Sequence, residues 1–189
     1  MLKWESVEIG LKRNRFKKGV FMNVIFKRRS VRNYLPDAIE KDKIEKILRA
    51  AMQAPSARNQ RPWRFLVIQD RQELDRLSEV ATNMKMLKEA QAAIFTFFEK
   101  DNLTAPLFVQ QDLSVATMNI LLEASELGIG NCWLGLYPNL ERTSHVNKAL
   151  GTPENLEVFS LISLGYPKDP DAFHYVDRFE PEKVYYEKF

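Results

Sequence analysis

The chain has 189 residues, 45% of them hydrophobic, with three tryptophans and one cysteine, a size usual for one domain with a sizeable core. Its formal charge of +3 is split unevenly: residues 1–32 hold ten Lys/Arg against two Glu, so the remaining 157 residues sum to −5. A lone Cys132 excludes an intramolecular disulfide and a multi-cysteine metal site. No apolar stretch reaches the ~20 residues of a membrane span, and Met1 to Ser6 lacks the apolar centre of a signal peptide, so a cytoplasmic location is expected.

In chain order, the basic arm comes first. It reads as a solvated or partly helical face; no aromatic-interleaved basic surface or zinc spacing accompanies it, which argues against nucleic-acid binding. Next is Arg28-Arg29-Ser30-Val31-Arg32, a serine flanked by three guanidiniums, whose donors suit a phosphate or another delocalised anion. Ile39 to Ala54 has apolar residues at Ile44, Ile47, Leu48, Ala51 and Met52, the spacing of one helical face, stopping before Pro55. The polar, proline-bounded stretch Pro55 to Pro62 leads through Trp63 into Arg64 to Ile68, which reads as a strand.

Ala92 to Glu99, dense in β-formers, predicts a buried strand. Pro106 to Leu127 predicts a long helix, with Leu113, Ala116, Met118, Ile120, Leu121, Ala124 and Leu127 mostly inward and Gly128 as its stop. Asn131 to Tyr137 and Val158 to Tyr166 read as strands around a helix from Glu141 to Leu150 that ends at Gly151. The last twenty residues, polar and aromatic, suggest a tail lying on a partner. Alternation of helices and strands indicates a layered α/β domain without repeats or an internal boundary.

The glycines form no Walker loop, and Gly128-Ile129-Gly130 follows a helix rather than a strand, so it fails the context of a dinucleotide fingerprint. Phosphate would have to be held by side chains, chiefly Arg28, Arg29, Arg32 and Arg178.

Five motifs stand in one order: Arg-Arg-Ser-x-Arg; Pro-Ser-Ala-x-Asn-x-x-Pro-Trp; Gly-x-Gly-x-Cys-Trp-Leu-Gly over 128–135; Leu150-Gly151-x-Pro153-Glu154-Asn155; and Gly165-Tyr166-Pro167. From about Met22 onward the chain resembles the nitroreductase family of flavoenzymes, its shorter members most. The resemblance implies an α+β, three-layer α-β-α fold with a central mixed, largely antiparallel sheet flanked by helices. It also implies a homodimer that exchanges C-terminal arms, binds FMN at the interface and uses NADH or NADPH.

By the same resemblance, Arg28, Arg29, Ser30 and Arg32 would hold the FMN phosphate and pyrimidine edge, with Arg178 closing on the phosphate. Pro55, Ser56, Ala57 and Asn59 match the segment that reaches the flavin of the other subunit. Trp133, Leu134 and Gly135 match the strand end along the isoalloxazine, where the N–H of about Gly135 would donate to N5; Asn83 matches a ring-contacting amide on a looser alignment. Arg61 stands where the family often has Gln, adding charge near that loop. Residues 1–21 have no counterpart and form a basic extension before a domain over 22–189. Met22 looks like a family start, and codons for Lys18 to Phe21 can contain a ribosome-binding sequence, so a natural start at Met22 is a second expectation.

Cys132 reads as a buried small hydrophobe, and His145 and His174 as lacking metal partners; Asp112, early in the long helix, reads as an interface or flavin-proximal acid or, preferably, as a helix-packing or capping residue. The expected activity is hydride passage from NAD(P)H through flavin N5 to a small electrophilic acceptor such as a nitroaromatic or quinone, with no protein nucleophile. The alternatives are a flavin-binding regulatory protein without turnover, or the same fold running enone reduction, dehalogenation or flavin breakdown.

Overall fold

In β2 (Ala92–Glu99) nearly every residue is buried, because helices cover both of its faces. The computed structural model describes residues 24–189; the extension over 1–21 and the second start at Met22 lie outside the described residues. With β1 (Trp63–Ile68), β3 (Gly130–Gly135) and β4 (Leu156–Gly165), β2 forms a four-stranded sheet of order β1-β2-β4-β3 whose neighbours all pair antiparallel. A parallel bridge between Ser30 and Asn131 lies beside the start of β3. The sheet is thus largely antiparallel, its mixed character resting on that bridge.

Side chains alternate across the sheet as a strand period of two requires. Ala92, Ile94, Ile162 and Leu164 face Ile44, Ile47 and Ala51 of α2 (Lys41–Met52) and Ile120, Leu121 and Ala124 of α4 (Val109–Glu126). Ala93, Phe95, Phe97 and Leu161 face the opposite layer. That layer holds Leu74 and Leu77 of α3 (Arg71–Ser78), Met84 and Leu87 of the 3₁₀ turn Thr82–Lys88, and Val146 of α5 (Leu140–Leu150). The three-layer expectation is met.

The period-based helices and strands fall within two residues of their expected places, save that the strand from Asn131 ends at Gly135 and the long helix begins with a separate 3₁₀ turn at Pro106–Phe108. Gly128 (φ 74°) and Gly151 (φ 63°) close α4 and α5 in the left-handed conformation that glycine adopts without strain. Two inward expectations fail: Met52 and Met118 are exposed, lying off the stripes that the α2–α4 packing buries. Asp70 caps α3 by accepting from the Glu73 N–H at 2.9 Å. No described helix is long and apolar enough to cross a membrane.

Candidate functional site

The arginine segment is docked by its apolar members. Val31 and Tyr34 are buried, and their side chains fill the space that side chains at Gly130 and Gly165 would otherwise take. A Cβ on Gly130 would meet Val31 at 2.9 Å, and one on Gly165 would meet the Tyr34 ring at 2.7 Å. The backbone follows: the Val31 N–H donates to the Asn131 carbonyl and the Leu35 N–H to that of Tyr166, each at 2.8 Å. The Tyr34 hydroxyl bonds the Val31 carbonyl at 2.5 Å and the Ser163 hydroxyl at 2.8 Å; burial pushes its pKa above the ordinary tyrosine value. Two motif glycines therefore serve the docking of the guanidinium run.

With Val31 and Tyr34 turned inward, Arg29, Ser30 and Arg32 line a cleft of about 520 Å³ together with Asn33, Lys168 and His174. Arg29 donates from Nη1 to the Arg28 carbonyl at 2.6 Å and from Nε toward His174 Nε2 at 3.4 Å. Its Nη2 is buried without a hydrogen-bond partner among the described residues. Burial lowers the Arg28 pKa, and the nearby Arg29 and Arg178 guanidiniums lower it further, so Arg178 stands within electrostatic reach of the motif. Cations crowded to this degree, with an orphaned buried donor, fit an anion such as a phosphate.

β3 is an edge strand, and its pairing parity is informative. The Leu136 N–H donates to the Phe159 carbonyl, so in the 130–165 register the odd-numbered residues turn their N–H and C=O away from β4. Asn131 spends its outward carbonyl on Val31. Gly135 directs its N–H to the open edge, and a Cβ there would meet none of the described residues within 4 Å. Trp133 packs near Phe159, with its indole N–H buried and unpartnered among the described residues; Leu134 is half-buried against the opposite core.

The Pro55 to Pro62 loop is strained and tightly held. Arg58, Asn59 and Arg61 have φ of 51°, 54° and 44°, a region that costs side-chain-bearing residues energy and clusters at functional sites. Buried Asp112 of α4 compensates: its Oδ1 accepts from the Ala57 N–H at 2.9 Å and its Oδ2 from the Gln60 amide at 2.7 Å. Gln60 also exchanges two bonds with the Ala105 backbone, and Ser56 Oγ accepts from the Arg61 N–H at 3.0 Å. Asp112, expected to pack or cap a helix, instead holds this loop through hydrogen bonds.

Within one chain the expected site residues form two groups. Arg28, Arg29, Ser30, Arg32 and Arg178 gather beside the start of β3, whose Trp133, Leu134 and Gly135 continue along the same edge. Pro55, Ser56, Ala57 and Asn59 lie next to Trp63, which pairs with Phe98 and so with Glu157, at the far end of β4 from the Leu164 that pairs with Asn131. Glu157 and Leu164 are roughly 20 Å apart along the strand. Asn83 sits half-buried on the Thr82–Lys88 turn. Sequence reasoning missed Lys168 and Asn33, whose place in the cleft follows from the bridge between Tyr34 and Pro167, and Arg142, which donates to the Gly135 carbonyl at 3.2 Å. Lys168 had a local signal, since it directly follows Gly165-Tyr166-Pro167. Among the described residues no cluster of metal-ligating side chains occurs. Cys132 is buried, and desolvation raises its thiol pKa despite nearby Arg32 and Arg28.

The chain is similar to known proteins over most of its length. The family model described as "Nitroreductase family" matches residues 25–101 and 79–166. A relative from Archaeoglobus fulgidus, provisionally named an NADH dehydrogenase/NAD(P)H nitroreductase, is 47% identical over 170 residues, covering 89% of this chain and 98% of its own. The crystal structure of a protein from Clostridium acetobutylicum, provisionally named an NADH oxidase, superposes with a TM-score of 0.84 at 41% identity, covering 88% of this chain and 99% of that one. An FMN-dependent nitroreductase from Clostridium difficile R20291 superposes with a TM-score of 0.79 at 32% identity, covering 89% and 100%. With the motifs, the layered antiparallel sheet and these matches in agreement over most of its length, the chain belongs to the nitroreductase family.

Proposed function

We propose that the protein is an FMN-dependent oxidoreductase that takes hydride from NADH or NADPH and reduces an electrophilic small molecule such as a nitroaromatic or a quinone, working as a homodimer with flavin at the interface. One observation carries the reading: a single open strand edge has a guanidinium cluster at one end and the outward N–H of Gly135 at the other. Asn131 and Gly135 are roughly 13 Å apart at strand rise, a span suited to a ligand with a phosphate at one end and a planar ring at the other. The names of the Archaeoglobus and Clostridium difficile relatives support the donor and the cofactor respectively.

In this reading Arg28, Arg29, Ser30, Arg32 and Arg178 hold the phosphate and the pyrimidine edge. A guanidinium there also stabilises the negative charge that reduction adds near N1 and O2. Gly135 donates its N–H toward N5, and the bare α-carbon lets the backbone approach the ring. Trp133 and Leu134 flank it, and Asn83 offers an amide to the ring. Pro55, Ser56, Ala57 and Asn59, far from the arginines of their own chain, complete the site of the other subunit. An FMN held by these residues would supply the redox chemistry, hydride transfer between a nicotinamide and the acceptor, with the ping-pong kinetics that a shared site implies.

The test is the visible spectrum of freshly purified full-length protein, followed by anaerobic addition of NADPH and NADH. The expected result is a yellow protein that bleaches with a nicotinamide and regains colour with a nitroaromatic. A yellow protein that no nicotinamide reduces would be a flavin binder without turnover. A colourless protein that also refuses added FMN would end the flavin reading.

A further inference from the structure

Arg142 belongs to none of the five motifs, yet it bonds the strand end to which the flavin reading assigns contact with N5. It lies in the first turn of α5, where Asn139 caps the helix and accepts from the Arg142 N–H at 2.9 Å. From there its Nη1 donates to the Gly135 carbonyl at 3.2 Å. The N–H and C=O of one strand residue project to the same side, so this guanidinium stands on the open edge beside the outward N–H of Gly135. Arg49, Arg64, Arg71 and Arg76 each pair with a carboxylate, whereas Arg142 makes no ion pair among the described residues. Its neighbour His145 bonds the Glu141 carbonyl at 3.0 Å.

Resting on the flavin reading, we propose that Arg142 is a positioning residue that fixes the Gly135 peptide and raises the reduction potential of the bound flavin. Reduction adds negative charge to the ring, and a fixed cation at its edge favours the reduced state over the oxidised one. The effect differs from that of the Arg28–Arg32 segment, which also binds the phosphate. Arg142 stands at the other end of the edge, so its removal is expected to alter the potential while leaving cofactor retention in place.

Two variants separate charge from geometry: Arg142→Gln keeps a donor for the Gly135 carbonyl without the charge, and Arg142→Lys keeps the charge. The measurement is the midpoint potential of the flavin-loaded full chain against a reference dye. For Arg142→Gln the reduced-to-oxidised ratio at fixed potential is expected to fall about tenfold, or about 30 mV for a two-electron couple. Arg142→Lys should stay within about twofold of the parent, and both variants should retain flavin. High salt should shrink the difference, since the charge is exposed. A flavin-loaded Arg142→Gln with the parent potential, or equal loss in Gln and Lys, would overturn the inference and leave the flavin reading standing. A parent chain that refuses FMN would remove both.

Discussion

Asp112 shows how one side chain holds a strained segment. Its two oxygens satisfy the Ala57 N–H and the Gln60 amide, fixing a loop in which three residues sit at positive φ. Asp112→Ala leaves the Ala57 N–H unpaired in a part-buried setting and takes from the Gln60 amide one of its two acceptors, the Ala105 carbonyl remaining, and each unmet bond costs about 1–3 kcal/mol. The variant should unfold at lower urea, and amides 56–61 should exchange faster. Asp112→Asn should lose less, because one oxygen remains for Ala57. Unchanged exchange in Asp112→Ala would mean that the loop holds itself. In the sequence Asp112 stood out only as an acid early in the long helix. Its partners lie more than 50 residues upstream, so no local pattern could name them.

At the scale of elements, α2 is tied to the chain leaving β4 by a small polar knot. The Tyr166 hydroxyl donates to Glu40 at 2.7 Å, and Lys43 Nζ reaches Glu40 at 3.1 Å and the Tyr166 oxygen at 2.6 Å. The Tyr166 bond first, then a backbone bond and Lys43, hold the Glu40 carboxyl at about 2, below its ordinary 4.5. Lys168 and the Tyr34 N–H lower Glu89 in the same direction. A folded pKa below the unfolded one contributes stability above about pH 4.5 that is lost as pH falls toward 2. Glu40→Gln should therefore melt slightly below the parent at pH 7, and the gap should close by pH 2; the effect is small because the group is exposed. A gap that stays constant across thermal melts from pH 7 to 2 would discard this assignment. α3 was the helix the periodicity did not reveal: only Leu74 and Leu77 are apolar along a charged eight-residue stretch, although Asp70-x-x-Glu73 carried a capping signal.

For the whole molecule, the apolar surface is uneven. Leu107, Phe108, Val115 and Met118 are exposed at the start and along the outer face of α4, as is Met52 of α2. The C-terminal segment folds back only as far as Tyr175, which stacks on Phe26 at 5.2 Å, and Val176, whose N–H reaches the Phe26 carbonyl; every residue from Asp177 onward is exposed. An exposed aromatic tail and an apolar helix face are surfaces of the kind that mark interaction sites, and the proposed homodimer assigns them to a second copy. Light scattering should give about twice the 22.0 kDa chain mass, and deletion of residues 177–189 should weaken both the dimer and flavin retention. A monomeric full-length chain that binds FMN tightly would refute the interface site.

The sequence by itself determined the long helices, the four strands and the ordered motifs that identify the family, because periodicity and turn chemistry are local. Only the tertiary structure decided that β1 and β3 are the sheet edges, that Gly130 and Gly165 make room for Val31 and Tyr34, and that Arg142 stands beside Gly135. It alone separated the Pro55–Asn59 loop from the arginines of its own chain. These outcomes depend on strand pairing and on side-chain bonds between residues far apart in the chain, which no window of neighbouring residues contains.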